Sequence, residues 1–322
     1  MSTVNQQEVL ASFKVLVSMA KADGKLKDEE FASLVDTFAE IHLPEGVTVE
    51  NLLASDDESI EVLLSQITSE IAQEMVYQSA YAMANVDGEC SPEEEALLTK
   101  ISQSFTSSKL WGKQEWIDTL EKRAQKSSIS EQLRQVDDPE KRAIEVDNVT
   151  TDTCFLNAVL GAFPLPGIAI AFDMLIYWNQ LDLVQAIGKS WGYDRGREDL
   201  RKAIFGSLGI TGTRIAVSNL AKLVPIFGMV VGATTAYAST WALGKVANEY
   251  FASGGEMDSF SLRQAFKKAK QEGEAIYKAK SEEIIAKKQA IEPQLHMLNQ
   301  ELQDGSITPE EYQEKLKEFL KG

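Results

Sequence analysis

The 322-residue sequence predicts an all-α protein, and three observations carry that expectation. Apolar residues recur at helical spacing in segment after segment. A helix-corner motif, with residues that end one helix and cap the next, occurs three times. The C-terminal part reads as a long polar helix followed by a short helical hairpin. Shifts in composition divide the chain into an acidic helical domain at 1–105, a linker with a short helix at 106–151, a hydrophobic helical-hairpin region at 152–254, and a polar helix with a tail at 255–322.

Charge is distributed unevenly. The formal net charge is −17, and residues 1–105 alone carry 20 Asp and Glu against 5 Lys. Phosphate backbones repel such a surface, so nucleic acid is excluded as a partner of this end. Only Cys90 and Cys154 are present, which argues against a disulfide-stapled scaffold and for a reducing, cytoplasmic setting. The N-terminus has no basic-then-apolar leader, and Ser2 stands where myristoylation requires glycine.

In the first domain, Val15, Met19, Ala22 and Leu26, then Phe31, Leu34, Val35 and Phe38, follow helical spacing. Met19–Glu30 and Met83–Glu94 form an internal repeat whose shared core is Asp-Gly-x-apolar-x-x-Glu-Glu. Gly24 and Gly88 suit the left-handed turn that ends a helix, while Leu26 and Cys90 are expected to tuck inward. Ser91, Pro92 and Glu94 make a capping box at the start of the following helix. Two readings stand. The corners are structural caps, or they share a divalent cation, calcium or magnesium, among Asp23, Glu30, Asp87 and Glu94. The spacing overlaps the second half of a calcium-binding loop, but with Met19 and Lys21, or Met83 and Asn85, in the first half a single loop could not supply the usual oxygen shell.

The paired corners resemble the tellurite-resistance TerB-like helical domain over residues 10–105. That resemblance implies an all-helical module with an acidic, cation-binding face, used in membrane-linked stress complexes. Lys27, standing where the second copy has Ser91, departs from the pattern.

Between 106 and 151, Ser-rich punctuation flanks a charged segment in which Trp111 and Trp116 are read as packing residues, and Pro139 is expected to interrupt it. Beyond it, Thr153–Phe172 and Leu223–Gly244 contain no charged residue. Each is long enough for a membrane span. Each is also broken by an apolar Pro-Gly bend: Phe163, Pro164, Leu165, Pro166 and Gly167 in the first, and Pro225, Ile226, Phe227 and Gly228 in the second. A helical hairpin with an apolar tip fits each run better than a span. The segment between the bends, with Arg195, Arg197, Arg201 and Lys202 clustered, favours keeping both ends cytosolic. Asp173 and Asp182 are read as helix-face residues. Four helices around two tips would form a bundle or dip into one leaflet.

These residues, Phe163-Pro164-Leu165-Pro166-Gly167-Ile168 and Leu223 through Ala233, are similar to the DUF697 family of YcjF-like membrane proteins over 150–252. The resemblance implies a place beside a small GTPase. The chain contains no Gly-x-x-x-x-Gly-Lys-Ser/Thr phosphate loop, so a GTPase would be a partner and not a domain of this chain.

From Arg263 to Lys288 there are eight Lys and Arg against four Glu, a basic helix expected to meet anionic headgroups, dock on the acidic lobe, or remain solvated. Thr308 and Glu311 form the third capping box, and residues 298–312 resemble the SHOCT short helical hairpin, which implies an oligomerisation or docking tail. His42 and His296 are isolated, and neither cysteine has a histidine nearby in sequence, so no catalytic residues are nominated. The expectation is a non-enzymatic adaptor at the cytosolic face of a membrane, peripheral or monotopic. Its partners would be lipid, a protein such as a GTPase, or a second copy. The alternative is a soluble cytoplasmic interaction protein whose hydrophobic middle is a core, and a divalent-metal protein is the minor one.

Overall fold

The computed structural model describes residues 4–22, 34–35, 38, 48, 52, 58–85, 90–105, 134–162, 169–210, 212–221, 229–304, 306–308, 311, 315 and 318–319. All regular structure among them is helical, so the chain is all-α. Two compact units are distinguished. One comprises Met1–Gly112, Pro164–Asp173 and Gly209–Gly228, and the other Lys113–Phe163, Met174–Leu208 and Met229–Gly322.

The first unit begins with α1 (Gln6–Ala20), which buries Val9, Phe13, Leu16 and Val17. Asn5 caps it, and Glu8 completes the box. α2 (Ile60–Ser65) and α3 (Glu70–Asn85) pack on α1, and α4 (Pro92–Ser104) packs on α2 and α3. Phe13 meets Phe38 edge-on at 5.5 Å between ring centroids. The expected box at α4 is present: Ser91 Oγ accepts from the Glu94 N–H at 3.1 Å, and the Glu94 carboxylate accepts from the Ser91 N–H at 2.8 Å. Cys90 does not tuck inward as its place in the repeat suggested; it is exposed.

A helix from the hydrophobic region, α8 (Gly212–Ala221), also belongs to this unit and packs on α1 and α3. Its apolar side is short, consisting of Ile215, Ala216, Val217 and Leu220. Beside them, buried Asn219 donates Nδ2–H to Ser79 Oγ at 2.8 Å.

The second unit is built on α5 (Pro139–Gly161), α6 (Ala169–Ser190, from Met174 onward), α7 (Arg197–Leu200, running into a wider π-helical turn at Arg201–Gly206), α9 (Met229–Ala252) and α10 (Ser259–Gln303). Pro139, expected to interrupt a linker, instead starts α5. Its missing N–H costs nothing at a first helical position, and Asp138 Oδ1 accepts from the Glu140 and Lys141 N–H groups. α9 is largely enclosed, with Ala233, Tyr237, Ala238, Thr240, Leu243, Val246 and Phe251 all buried. Its neighbours are α5, α6 and α10, so α10 takes the fourth place in the bundle that the double-hairpin reading had given to the helix before Pro225. A helix that is hydrophobic all round needs more than a hairpin partner to cover it.

α5 and α9 run antiparallel and meet closely at Gly161 and Gly232. A Cβ on Gly161 would lie 2.6 Å from the Gly232 carbonyl oxygen, and one on Gly232 would lie 2.3 Å from that of Gly161. Only glycine permits this approach. The chain leaves α5 and enters α9 at this same end of the pair. At the opposite end, Gly254 and Gly255 turn the chain from α9 into α10 with φ of 83° and 80°. Among the described residues, no helix is long and apolar enough to cross a membrane.

Candidate functional site

The cation reading named four carboxylates. Asp23, Glu30 and Asp87 lie outside the described residues. Glu94 lies within them, and its carboxylate is engaged in the α4 capping box. No group of three or more His, Cys, Asp and Glu that could hold a metal ion occurs among the described residues. Phe163 through Gly167 and Pro225 through Gly228 also lie outside them, as do Trp111, Trp116 and His42. The flanks of both bends are described, and the Gly161–Gly232 contact brings Gly161 and Gly232 together.

The polar centre of the second unit is a network of amides and hydroxyls joining three helices. Asn179 of α6 donates Nδ2–H to Asn157 Oδ1 of α5 at 2.9 Å, and Asn157 donates in turn to Thr240 Oγ1 of α9 at 3.0 Å. Gln180 donates to the same Thr240 oxygen at 3.0 Å and to Ser239 Oγ at 3.1 Å. Thr240 passes its own proton to the Ala236 carbonyl at 2.7 Å. One hydroxyl thus accepts two amide N–H groups and donates once, which exhausts its capacity. None of the five side chains titrates near neutral pH. The network therefore fixes the register of α5, α6 and α9 and carries no acid–base chemistry. Thr240→Val should leave two buried amide donors without their acceptor and lower stability by about 2 kcal/mol. Urea denaturation measures this loss, and a change below about 0.5 kcal/mol would mean that the network does not hold the helices.

Two ring systems anchor the end of the bundle remote from Gly161. The Arg142 guanidinium lies 3.7 Å from the Trp191 ring centroid, and Trp191 Nε1–H donates to Asn248 Oδ1 at 2.9 Å. Arg195 donates to Tyr250 Oη at 3.1 Å and lies 5.7 Å from the Tyr193 ring. Asp182, read from the sequence as a plain helix-face residue, is buried and paired with Arg197. The clustered arginines were visible in the sequence. Their partners, on α6 and α9 some 15 to 55 positions away, were not.

Both thiols and one buried tyrosine are shifted away from their ionised forms. Burial pushes the Cys154 thiol well above the usual thiol range. Partial burial, then Glu94 and Glu95, raises Cys90. Burial also lifts the Tyr237 hydroxyl to about 12. Among the described residues, Thr150 Oγ1, Tyr237 Oη and Trp241 Nε1 are buried without a hydrogen-bond partner.

No protein family's sequence profile matches the chain. No solved structure matches it either. The chain is similar to the uncharacterized protein sll0481 of Synechocystis sp. (strain ATCC 27184 / PCC 6803 / Kazusa), at 29% identity over 119 residues, which is 35% of this chain and 77% of that protein.

Proposed function

We propose that this chain is a non-enzymatic, all-helical interaction scaffold whose hydrophobic middle is a structural core. The observation that carries this reading is the burial of α9. From Ala233 to Gly244, Thr235 is the one exposed residue, and the rest are buried or partly so. Hydrophobicity that the sequence offers to a bilayer is already used against α5, α6 and α10. Asn157, Asn179, Gln180 and Thr240 are bonded to one another across helices, which suits a rigid support. α10 then extends for 45 residues, about 67 Å, and presents a long outer edge to partners. In this reading the acidic TerB-like first unit and the SHOCT-like tail are docking modules, and a GTPase is one class of partner that the DUF697-like middle suggests. Fractionation of cells making the full chain tests it. The chain should be released by high salt or carbonate, and retention until detergent is added would overturn the reading.

A second reading, peripheral or monotopic attachment to the cytosolic face of a membrane through the two bends, is favoured by the Gly161–Gly232 contact. That contact puts one flank of each bend at the same end of the α5–α9 pair. It predicts that Phe163→Asp combined with Phe227→Asp frees a membrane-bound pool.

A further inference from the structure

One edge of α10 runs Phe260, Arg263, Lys267, Lys270, Glu274, Lys278, at the three- and four-residue intervals that place side chains on one helical stripe. Another seven residues along the same stripe bring Ile285. The fold turns this edge outward. Phe260 is 70% exposed and Ile285 43%, both unusual for large apolar side chains, and Arg263, Lys267, Glu274 and Lys278 are exposed between them. The opposite side of the helix buries Leu262, Ala269, Tyr277 and Ile284. The start of the stripe is held in place from another segment: Arg263 Nε–H donates to the Ser207 carbonyl at 2.8 Å, and Ser259 Oγ lies 3.2 Å from Ser207 Oγ.

We propose that this edge of α10 docks the chain on an anionic lipid surface. Three exposed cations, Arg263, Lys267 and Lys278, against one exposed Glu lie along a straight line, with an apolar side chain at each end, over about 38 Å. A planar array of negative headgroups matches a line of cations. The headgroup–acyl boundary accepts an aromatic ring that projects from a helix and lines no groove. The net charge of −17 does not oppose this, because acids more than about 10 Å away are screened at ordinary ionic strength. The stripe starts at the end of the bundle remote from Gly161, runs back along α9 past Tyr237, and uses neither Pro-Gly bend. It rests on the scaffold reading in requiring a chain that reaches the membrane from water and leaves it again with salt.

The test is co-sedimentation of the full chain with vesicles of phosphatidylcholine alone and of phosphatidylcholine mixed with phosphatidylglycerol. Binding is expected only to the mixed vesicles and should fall as salt is raised. Replacing Lys267 or Lys278 by Gln should lower the partition coefficient about fivefold each, and Phe260→Ala about tenfold. The double reversal Lys267→Glu with Lys278→Glu should abolish binding while leaving the melting curve unchanged, since both side chains are exposed. No binding to anionic vesicles overturns the proposal. So does binding that survives the double reversal but is lost with Phe163→Asp and Phe227→Asp, an outcome that assigns attachment to the bends. Binding of a soluble polyglutamate peptide without vesicle binding also overturns it and makes the partner an acidic protein. A requirement for detergent in fractionation would instead overturn the scaffold reading, and the two failures are separately visible.

Discussion

Asp182→Ala should lower the stability of the second unit by about 3–5 kcal/mol, the usual cost of leaving one member of a buried ion pair without the other. The Asp182 side chain is 4% exposed and that of Arg197 19%, so water replaces little of what is lost. The pair ties the middle of α6 to the first turn of α7. Behind it the π-helical turn places Phe205 edge-on against Tyr177, at 5.3 Å between centroids. Losing the carboxylate therefore removes the buried counter-charge of the Arg197 guanidinium and loosens the segment that seats Phe205. The expected readout is a lower midpoint in urea denaturation, followed by tryptophan fluorescence. Replacing both members, Asp182→Leu with Arg197→Met, should recover most of the loss, because no charge is then left buried. A single mutant within about 0.5 kcal/mol of the parent would show that the pair is held as if at a surface.

Much of the helical framework was legible in local residues. The Ser91-Pro92-Glu94 and Thr308–Glu311 boxes form as their spacing predicts, since a capping box is satisfied within four residues and needs nothing from the rest of the chain. The long polar helix after Gly255 was legible for the same reason. Pro139 was misjudged because proline reads alike as a breaker or as a first residue, and Asp138 before it was the signal that decides.

What local residues could not reveal is which helix covers which. α8 and α9 flank the same bend, yet α8 packs on α1 and α3, while α9 packs on α5 and α10 and is hydrogen-bonded to α6. The two apolar runs looked alike in the sequence because hydropathy records how much surface must leave water and not what replaces the water. The buried polar network shows the same limit. Asn157, Ser239 and Thr240 diluted the hydrophobicity of both runs in the sequence, and their role became visible only when α6 supplied Asn179 and Gln180. Of the four carboxylates proposed for the cation corners, Glu94 lies within the described residues and is engaged in the α4 cap. Calorimetric titration of the full chain with calcium and magnesium, beside Asp87→Ala, separates the cap reading from the cation reading.

Glu8→Ala should lower the stability of the first unit by about 3 kcal/mol, because one buried carboxylate serves two helix starts. Its Oε2 accepts from the Asn5 N–H at 3.2 Å at the head of α1. Its Oε1 accepts from the Thr68 N–H at 2.8 Å, the Thr68 hydroxyl at 3.0 Å and the Ser69 N–H at 2.6 Å at the head of α3. Thus a residue of α1 does for α3 what an N-cap side chain usually does, and the negative charge sits at the positive end of both helix dipoles. Burial by itself would raise the carboxyl, but the Ser69, Asn5 and Thr68 donors together outweigh it and hold the group below its ordinary value of 4.5. The sign of the pH dependence follows from that direction. With the folded value depressed, the stabilisation is complete above the ordinary value and is lost as pH falls through the folded one. Melting of the parent should therefore decline on acidification below about pH 4.5, and Glu8→Gln should be less stable at neutral pH with a flatter acid limb. Parallel acid limbs for parent and Glu8→Gln would show that other carboxylates set the acid sensitivity and that Glu8 is not the bond between α1 and α3 on which the unit depends.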